Sequence, residues 1–115
     1  MTMQTYVLFG LPAAFFVIIW YFKRPDITPA RARKLLAEGA VLVDVRSPGE
    51  FSSGHIDGAR NIPVGSLSVR ERELGDKDRT VILYCASGTR SAMAKRRLRA
   101  AGFSRVLNLG SIRNW

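Results

Sequence analysis

The chain has 115 residues, enough for one small domain with an extension and too few for two ordinary domains. It carries 18 lysines and arginines against 9 acidic residues, a formal charge of +9, in an otherwise ordinary globular composition. A single cysteine, Cys85, excludes an internal disulfide, a zinc ribbon and any CxxC couple, so the thiol is either inert or reactive by itself.

Residues 5–22, TYVLFGLPAAFFVIIWYF, hold no charge, and these 18 residues reach the lower end of what spans a bilayer. Lys23 and Arg24 end the run. Tyr6, Trp20 and Tyr21 suit interfacial anchors, and Gly10 and Pro12 are tolerated in membrane helices. A cleaved signal would want a basic residue in MTMQTY and a better cleavage site than Trp20-Tyr21-Phe22, and a buried core helix would show a polar face. The expectation is therefore a transmembrane helix at 1–22, a linker at 23–27 and a domain at 28–115. Lys23, Arg24, Arg31, Arg33 and Lys34 follow the span and no basic residue precedes it. The positive-inside rule then places the domain in the cytoplasm, as a single-pass protein of a bacterial inner membrane, where a thiol stays reduced. The same basic cluster either meets anionic headgroups or is a solvated flank. Gly10 and Ala14 have the small-xxx-small spacing of helix–helix contacts.

Thr28-Pro29 reads as a helix N-cap followed by proline at the first helical position, with Ala32, Leu35 and Leu36 as the apolar stripe and Gly39 as the stop. Val41 to Val45, VLVDV, is a β-branched run suited to a strand covered on both faces. Ser47-Pro48-Gly49 reads as a turn, Glu50-Phe51 as a brief helical turn, and Asn61 to Val64 as a short strand. Residues 65–79 are polar, with Leu67, Val69 and Leu74 as anchors of a loop or weak helix. Thr80 to Tyr84 is a strand, Ser91 to Ala101 a helix stopped by Gly102, and Arg105 to Leu109 a last strand, which together give an α/β pattern.

Cys85 stands at the turn between that strand and helix, in YCASGTR. Backbone N–H groups and the positive end of the helix dipole at such a turn stabilise a thiolate or a charged sulfur adduct. Gly88 lets the loop curl tightly, and Arg90 closes it with a permanent charge. The competing reading is a small buried hydrophobe at a strand end. Ala86, Ser87, Gly88 and Thr89 are too small or polar to form a core, which favours the reactive reading.

DVRSPGEF at 44–51, GHIDGARNIP at 54–63, YCASGTRS at 84–91 and AAGF at 100–103 resemble, in order and spacing, a single-domain rhodanese. The resemblance covers about residues 27–115. It implies a small α/β fold with a central five-stranded parallel sheet and helices on both faces, and transfer of sulfane sulfur through a cysteine persulfide, as in thiosulfate sulfurtransferases. Position by position, it makes Cys85 the catalytic nucleophile, Ala86, Ser87, Gly88, Thr89 and Arg90 the substrate-binding loop, and Asp44 and Arg46 a structural pair, with Glu50 within reach of Arg46. Trp115 matches the aromatic that closes the family's domain, although LGSIRNW departs from the usual double glycine before it. His55 is expected to be structural, because attack by a thiolate needs no proton relay.

The chemistry needs no metal or organic cofactor. A donor such as thiosulfate is a small anion, and a thiolate attacking its outer sulfur needs cations and amide donors to offset charge repulsion. From Arg90 to Trp115 there are seven basic residues and no acidic one, a field that concentrates anions. Lys95, Arg96, Arg97 and Arg99 read better as a solvated helix face than as part of the site. The expected partners are an anionic sulfur donor and a thiophilic acceptor, cyanide or a thiol, with a protein acceptor admissible, the membrane through residues 5–22, and no nucleic acid. Two rivals remain. Phosphatases and arsenate reductases of related fold also close a cysteine loop with arginine, but over five intervening residues where this chain has four. A tethered binding or sulfur-carrier module is the other; non-catalytic members of the fold commonly lack the cysteine, which this chain retains.

Overall fold

A computed structural model of the chain describes residues 3–115, with side chains from residue 12 onward. Four parallel strands, β1 (Val41–Asp44), β2 (Arg60–Asn61), β3 (Val81–Cys85) and β4 (Val106–Ser111), form one sheet in the order β2-β1-β3-β4. The helices are α1 (Met3–Lys23), α2 (Pro29–Ala37), α3 (Pro48–Ser52), α4 (Leu67–Arg70) and α5 (Thr89–Ala100). Side chains alternate across the central strands. Val41, Val43, Val45, Val81, Leu83 and Cys85 join the core under α4 and α5, whereas Leu42, Ile82 and Tyr84 join the core containing Ala32 of α2. The parallel sheet with helices on both faces is as expected, but the sheet has four strands among the described residues rather than five.

The missing fifth strand has a local cause. Beyond β4 the neighbouring chain is Pro25-Asp26, where Pro25 has no N–H to give. The Asp26 N–H donates to the Asn108 carbonyl at 2.7 Å, but the Asn108 N–H is taken by the Asp26 carboxylate at 2.8 Å instead of by a backbone carbonyl. A side chain thus replaces the ladder bond that would continue the sheet.

Local signals explain most boundaries. The Thr28 hydroxyl accepts from Arg31 N–H at 3.2 Å with Pro29 at the first helical position, and Gly39 leaves α2 with φ of 105°. Ser47 is an N-cap rather than part of a turn. Its hydroxyl accepts from Glu50 N–H while the Glu50 carboxylate accepts from Ser47 N–H, so the capping box starts α3 at Pro48. The strand expected over 61–64 is shorter, because Pro63 leads into a 3-10 turn at Val64–Ser66. Between residues 65 and 79, Leu67 and Leu74 are buried as anchors, but Val69 is exposed. One residue is inserted in β4: Leu83 pairs with Asn108 and Tyr84 with Gly110, leaving Leu109 as a bulge before Gly110 at φ 88°.

The membrane-spanning expectation is overturned. No helix among the described residues is long and apolar enough to cross a membrane. The end of α1 is engaged by the domain instead: Ile18, Tyr21 and Phe22 line a cleft of about 450 Å³ with Ala92, Lys95 and Arg96 of α5, and the Arg96 guanidinium lies 5.4 Å from the Phe22 ring centre. A turn apposed to a charged helix leaves an apolar stretch shorter than the ~20 residues a bilayer requires. The single-pass arrangement, the cytoplasmic placement drawn from it and the membrane as a partner are withdrawn with it. Trp20 and Tyr21 are exposed, with Arg24 stacked 4.1 Å from the Tyr21 ring, and the side chain of Tyr6 lies outside the described residues.

Asp44 and Arg46 form the expected structural pair at the carboxyl end of β1, both buried, with Arg46 Nη2 2.7 Å from Asp44 Oδ2. The same nitrogen donates to the Gly54 carbonyl at 2.7 Å, which fixes the loop after α3. Glu50 is not a partner of Arg46; it pairs with Arg90. His55 stacks on Phe51 with ring centres 3.7 Å apart and Nδ1 2.9 Å from the Phe51 carbonyl oxygen, an exposed, structural arrangement. Trp115 closes the α2 side, where the Arg33 guanidinium stacks 4.1 Å from its ring. Asp44→Ala would leave Arg46 buried without its carboxylate, so it is expected to lower unfolding free energy by about 3–5 kcal/mol, read from urea denaturation.

Candidate active site

A parallel sheet brings the carboxyl ends of its strands to one edge, and Cys85 is the last residue of β3 there. Ala86, Ser87 and Gly88 turn the chain, and Thr89 and Arg90 begin α5. Gly88 holds φ of 94°, a left-handed conformation that turns its N–H back toward the cysteine. The expected site residues are thus consecutive around one sulfur. Cys85 has 0 % exposure, Gly88 is buried, Ala86, Thr89 and Arg90 are half-buried, and Ser87 is exposed.

Burial alone fits the inert cysteine, so the contacts of the sulfur bear on the choice between the two readings. Sγ accepts from Gly88 N–H at 3.0 Å, from Ser91 N–H at 3.4 Å and from the Ser91 hydroxyl at 3.4 Å. The single hydroxyl hydrogen of Ser91 is shared, because its oxygen also lies 3.1 Å from the Gly88 carbonyl. A thiol packed as a hydrophobe has no need of three donors; a thiolate does. Burial pushes the Cys85 thiol up, but hydrogen bonds from the Ser91 hydroxyl and amide and from the amides of Ser87 and Gly88 outweigh it and hold the thiol below its ordinary value.

Arg90 does not point its charge at the sulfur unopposed. Nη1 and Nη2 donate to Glu50 Oε1 and Oε2 at 2.6 and 2.9 Å, a bidentate pair joining α5 to α3. Arg90, with the Ser47 N–H, holds the Glu50 carboxyl down to about 2. On the other side, the Ser111 hydroxyl donates to the Ala86 carbonyl at 2.6 Å, so the loop is tied to β4 as well. Ser91 and Glu50 stand in the quoted motifs, but the sequence assigns Ser91 no role and offers Glu50 to Arg46, whereas the structure pairs it with Arg90. A small polar residue in the first turn of a helix that follows a cysteine loop is the signal that singles out Ser91. Among the described residues no group of three or more His, Cys, Asp or Glu side chains could hold a metal ion.

The profile of the family described as "Rhodanese-like domain" matches residues 28–115. The chain belongs to that family. It is 39% identical over 95 residues to the thiosulfate sulfurtransferase GlpE of Ectopseudomonas mendocina, covering 82% of this chain and 84% of that protein. It is 46% identical over 77 residues to YqhL of Bacillus subtilis, where the match covers 66% of this chain but only 60% of the relative. Among solved structures it superposes on the human single-domain sulfurtransferase TSTD1 with a TM-score of 0.67 and 30% identity, over 80% of this chain and 95% of that one. This is a rhodanese-like domain with sulfurtransferase relatives, and the α/β expectation drawn from the sequence holds at that level.

Two outcomes follow from the geometry. Ser91→Ala removes one donor to the sulfur, so the pH midpoint of Cys85 alkylation is expected to rise and the rate at neutral pH to fall roughly three- to tenfold, the effect of one hydrogen bond of about 0.5–1.5 kcal/mol. The Glu50 carboxyl is depressed in the fold, so its pairing stabilises fully above the unfolded value of about 4.3 and is lost as pH falls toward 2. Glu50→Gln is expected to flatten the stability–pH curve in that window, measured by chemical denaturation at successive pH values.

Proposed function

We propose that this rhodanese-like domain moves sulfane sulfur from a small anionic donor such as thiosulfate to a thiophilic acceptor through a persulfide on Cys85. The observation that supports this most directly is the convergence of three hydrogen-bond donors on the buried Cys85 sulfur. The Cys85 thiolate attacks the outer sulfur of thiosulfate. A new S–S bond forms, the old one breaks, and sulfite leaves with the bonding pair. The product, Cys85–S–S⁻, carries one negative charge, as the thiolate did. Cyanide or a thiolate then takes the outer sulfur and regenerates the Cys85 thiolate, with no net oxidation of the protein. In this reading Ala86, Ser87, Gly88, Thr89 and Arg90 form the substrate-binding loop around the donor.

Because the sulfur has no exposure, the donor enters as the half-buried loop residues yield, and the Gly88 and Ser91 donors hold both the attacking thiolate and the persulfide anion. The short loop argues against phosphoryl chemistry. Ser87 and Thr89 lie hydroxyl to hydroxyl at 3.4 Å, and the inward donors meet on one sulfur instead of ringing a tetrahedral oxyanion.

Intact mass after exposure of the full chain to thiosulfate is the test. The wild type is expected to gain roughly 32 Da, Cys85→Ala nothing, and cyanide to remove the gain. A chain that alkylates at Cys85 yet gains no sulfur would exclude thiosulfate as the donor.

A further inference from the structure

Residues 22–26 precede the family domain at 28–115, yet they are bound to α5, which follows the cysteine loop, and to β4, the strand beside β3. Phe22 sits beside Arg96 of α5. The Lys23 carbonyl oxygen lies so close to Gly88 that a Cβ there would come within 2.8 Å of it, and Pro25 would lie 3.5 Å from a Cβ on Gly110. Asp26 closes the segment with three bonds. Its N–H donates to the Asn108 carbonyl at 2.7 Å, and Oδ2 accepts from Asn108 N–H at 2.8 Å and from Lys95 Nζ at 2.6 Å.

The segment therefore runs from α5 to β4 as a strap across two glycines of positive φ, Gly88 and Gly110. Gly88 faces two ways. Its N–H is the nearest donor to the Cys85 sulfur, and its α-carbon abuts the Lys23 carbonyl with no room for a methyl group.

We infer that the Phe22–Asp26 strap is a positioning element of the sulfur cradle, in which Asp26 pins the chain so that Lys23 backs Gly88 and keeps its N–H on Cys85. The role in sulfur transfer rests on the persulfide reading above; the geometric role does not. Asp26 touches neither the sulfur nor the loop, so it acts only through the strap and the two elements it bonds, α5 and β4. A strap that merely adds stability would change the denaturation midpoint and leave the titration of Cys85 where it was.

The test compares full-length wild type, Asp26→Ala, Asp26→Asn and Lys95→Met by alkylation rate against pH and by sulfur uptake from thiosulfate. Asp26→Ala is expected to raise the alkylation midpoint, to slow alkylation at neutral pH about threefold and to slow sulfur uptake with it. Asp26→Asn keeps an oxygen for the Asn108 N–H and should recover most of the loss. Arg70→Met, which breaks an exposed ion pair elsewhere, should leave the midpoint unchanged. A folded Asp26→Ala with the wild-type midpoint would overturn the inference. If Asp26→Ala fails to fold, Lys95→Met, which removes one of the three bonds, carries the same test when compared with Arg99→Met, which removes the same charge from α5 without touching Asp26. A midpoint that shifts in a protein taking no sulfur from thiosulfate would uphold the strap and exclude thiosulfate as the donor; sulfur uptake with an unmoved midpoint would overturn the strap and leave the sulfur-transfer reading standing.

Discussion

A sulfur with no solvent around it can carry a negative charge only if donors replace the water, and much of the carboxyl edge of this sheet is arranged to meet that condition. Two of the three donors belong to Ser91 and one to Gly88. They converge because β3 ends and α5 begins within four residues, which turns the first free N–H groups of the helix toward the last side chain of the strand. The helix end thus acts through specific hydrogen bonds more than through a diffuse dipole. These donors face a buried atom, where a bond is electrostatically stronger than it would be in water.

The loop is held from three directions, each by a different kind of contact. Glu50, itself fixed by the capping box of α3, binds Arg90 from the β1 side. Ser111 binds the Ala86 carbonyl from β4, and Lys23 packs on Gly88. The Asp44–Arg46 pair supports the first of these at one remove, because Arg46 also fixes Gly54 after α3. A charge on Arg90 already matched by Glu50 cannot supply the whole attraction for an anion. Lys95 on the same helix is likewise matched, by Asp26.

Periodicity and turn chemistry made the fold legible where they act over a few residues. Thr28-Pro29, the VLVDV run and the strand before Cys85 were readable because caps and β-branched runs are local signals. The shortened β2, the bulge at Leu109 and the four-strand count were not, because each depends on which chain lies alongside. Proximity along the chain gathered Cys85 to Arg90 into one site. The partners of those residues were harder: Glu50 stands 40 positions from Arg90, and nothing in the spacing prefers that arginine to the nearby Arg46. The apolar run before Lys23 misled for the same reason. Hydropathy reads a segment by itself, whereas Phe22 at the end of α1 lies against Arg96 of α5.

The Asp26–Asn108 contact has one more consequence, for the behaviour of the sheet toward other chains. β4 is an outer strand, and an outer strand with free N–H and C=O groups is a template on which foreign strands can add. Here the middle of that edge is occupied. A carboxylate caps one N–H, the neighbouring carbonyl is bonded as well, and Pro25 contributes no donor in return. An approaching strand would meet a charged side chain and an edge already bonded at Asn108, so the sheet terminates there and is shielded from edge-to-edge pairing along β4.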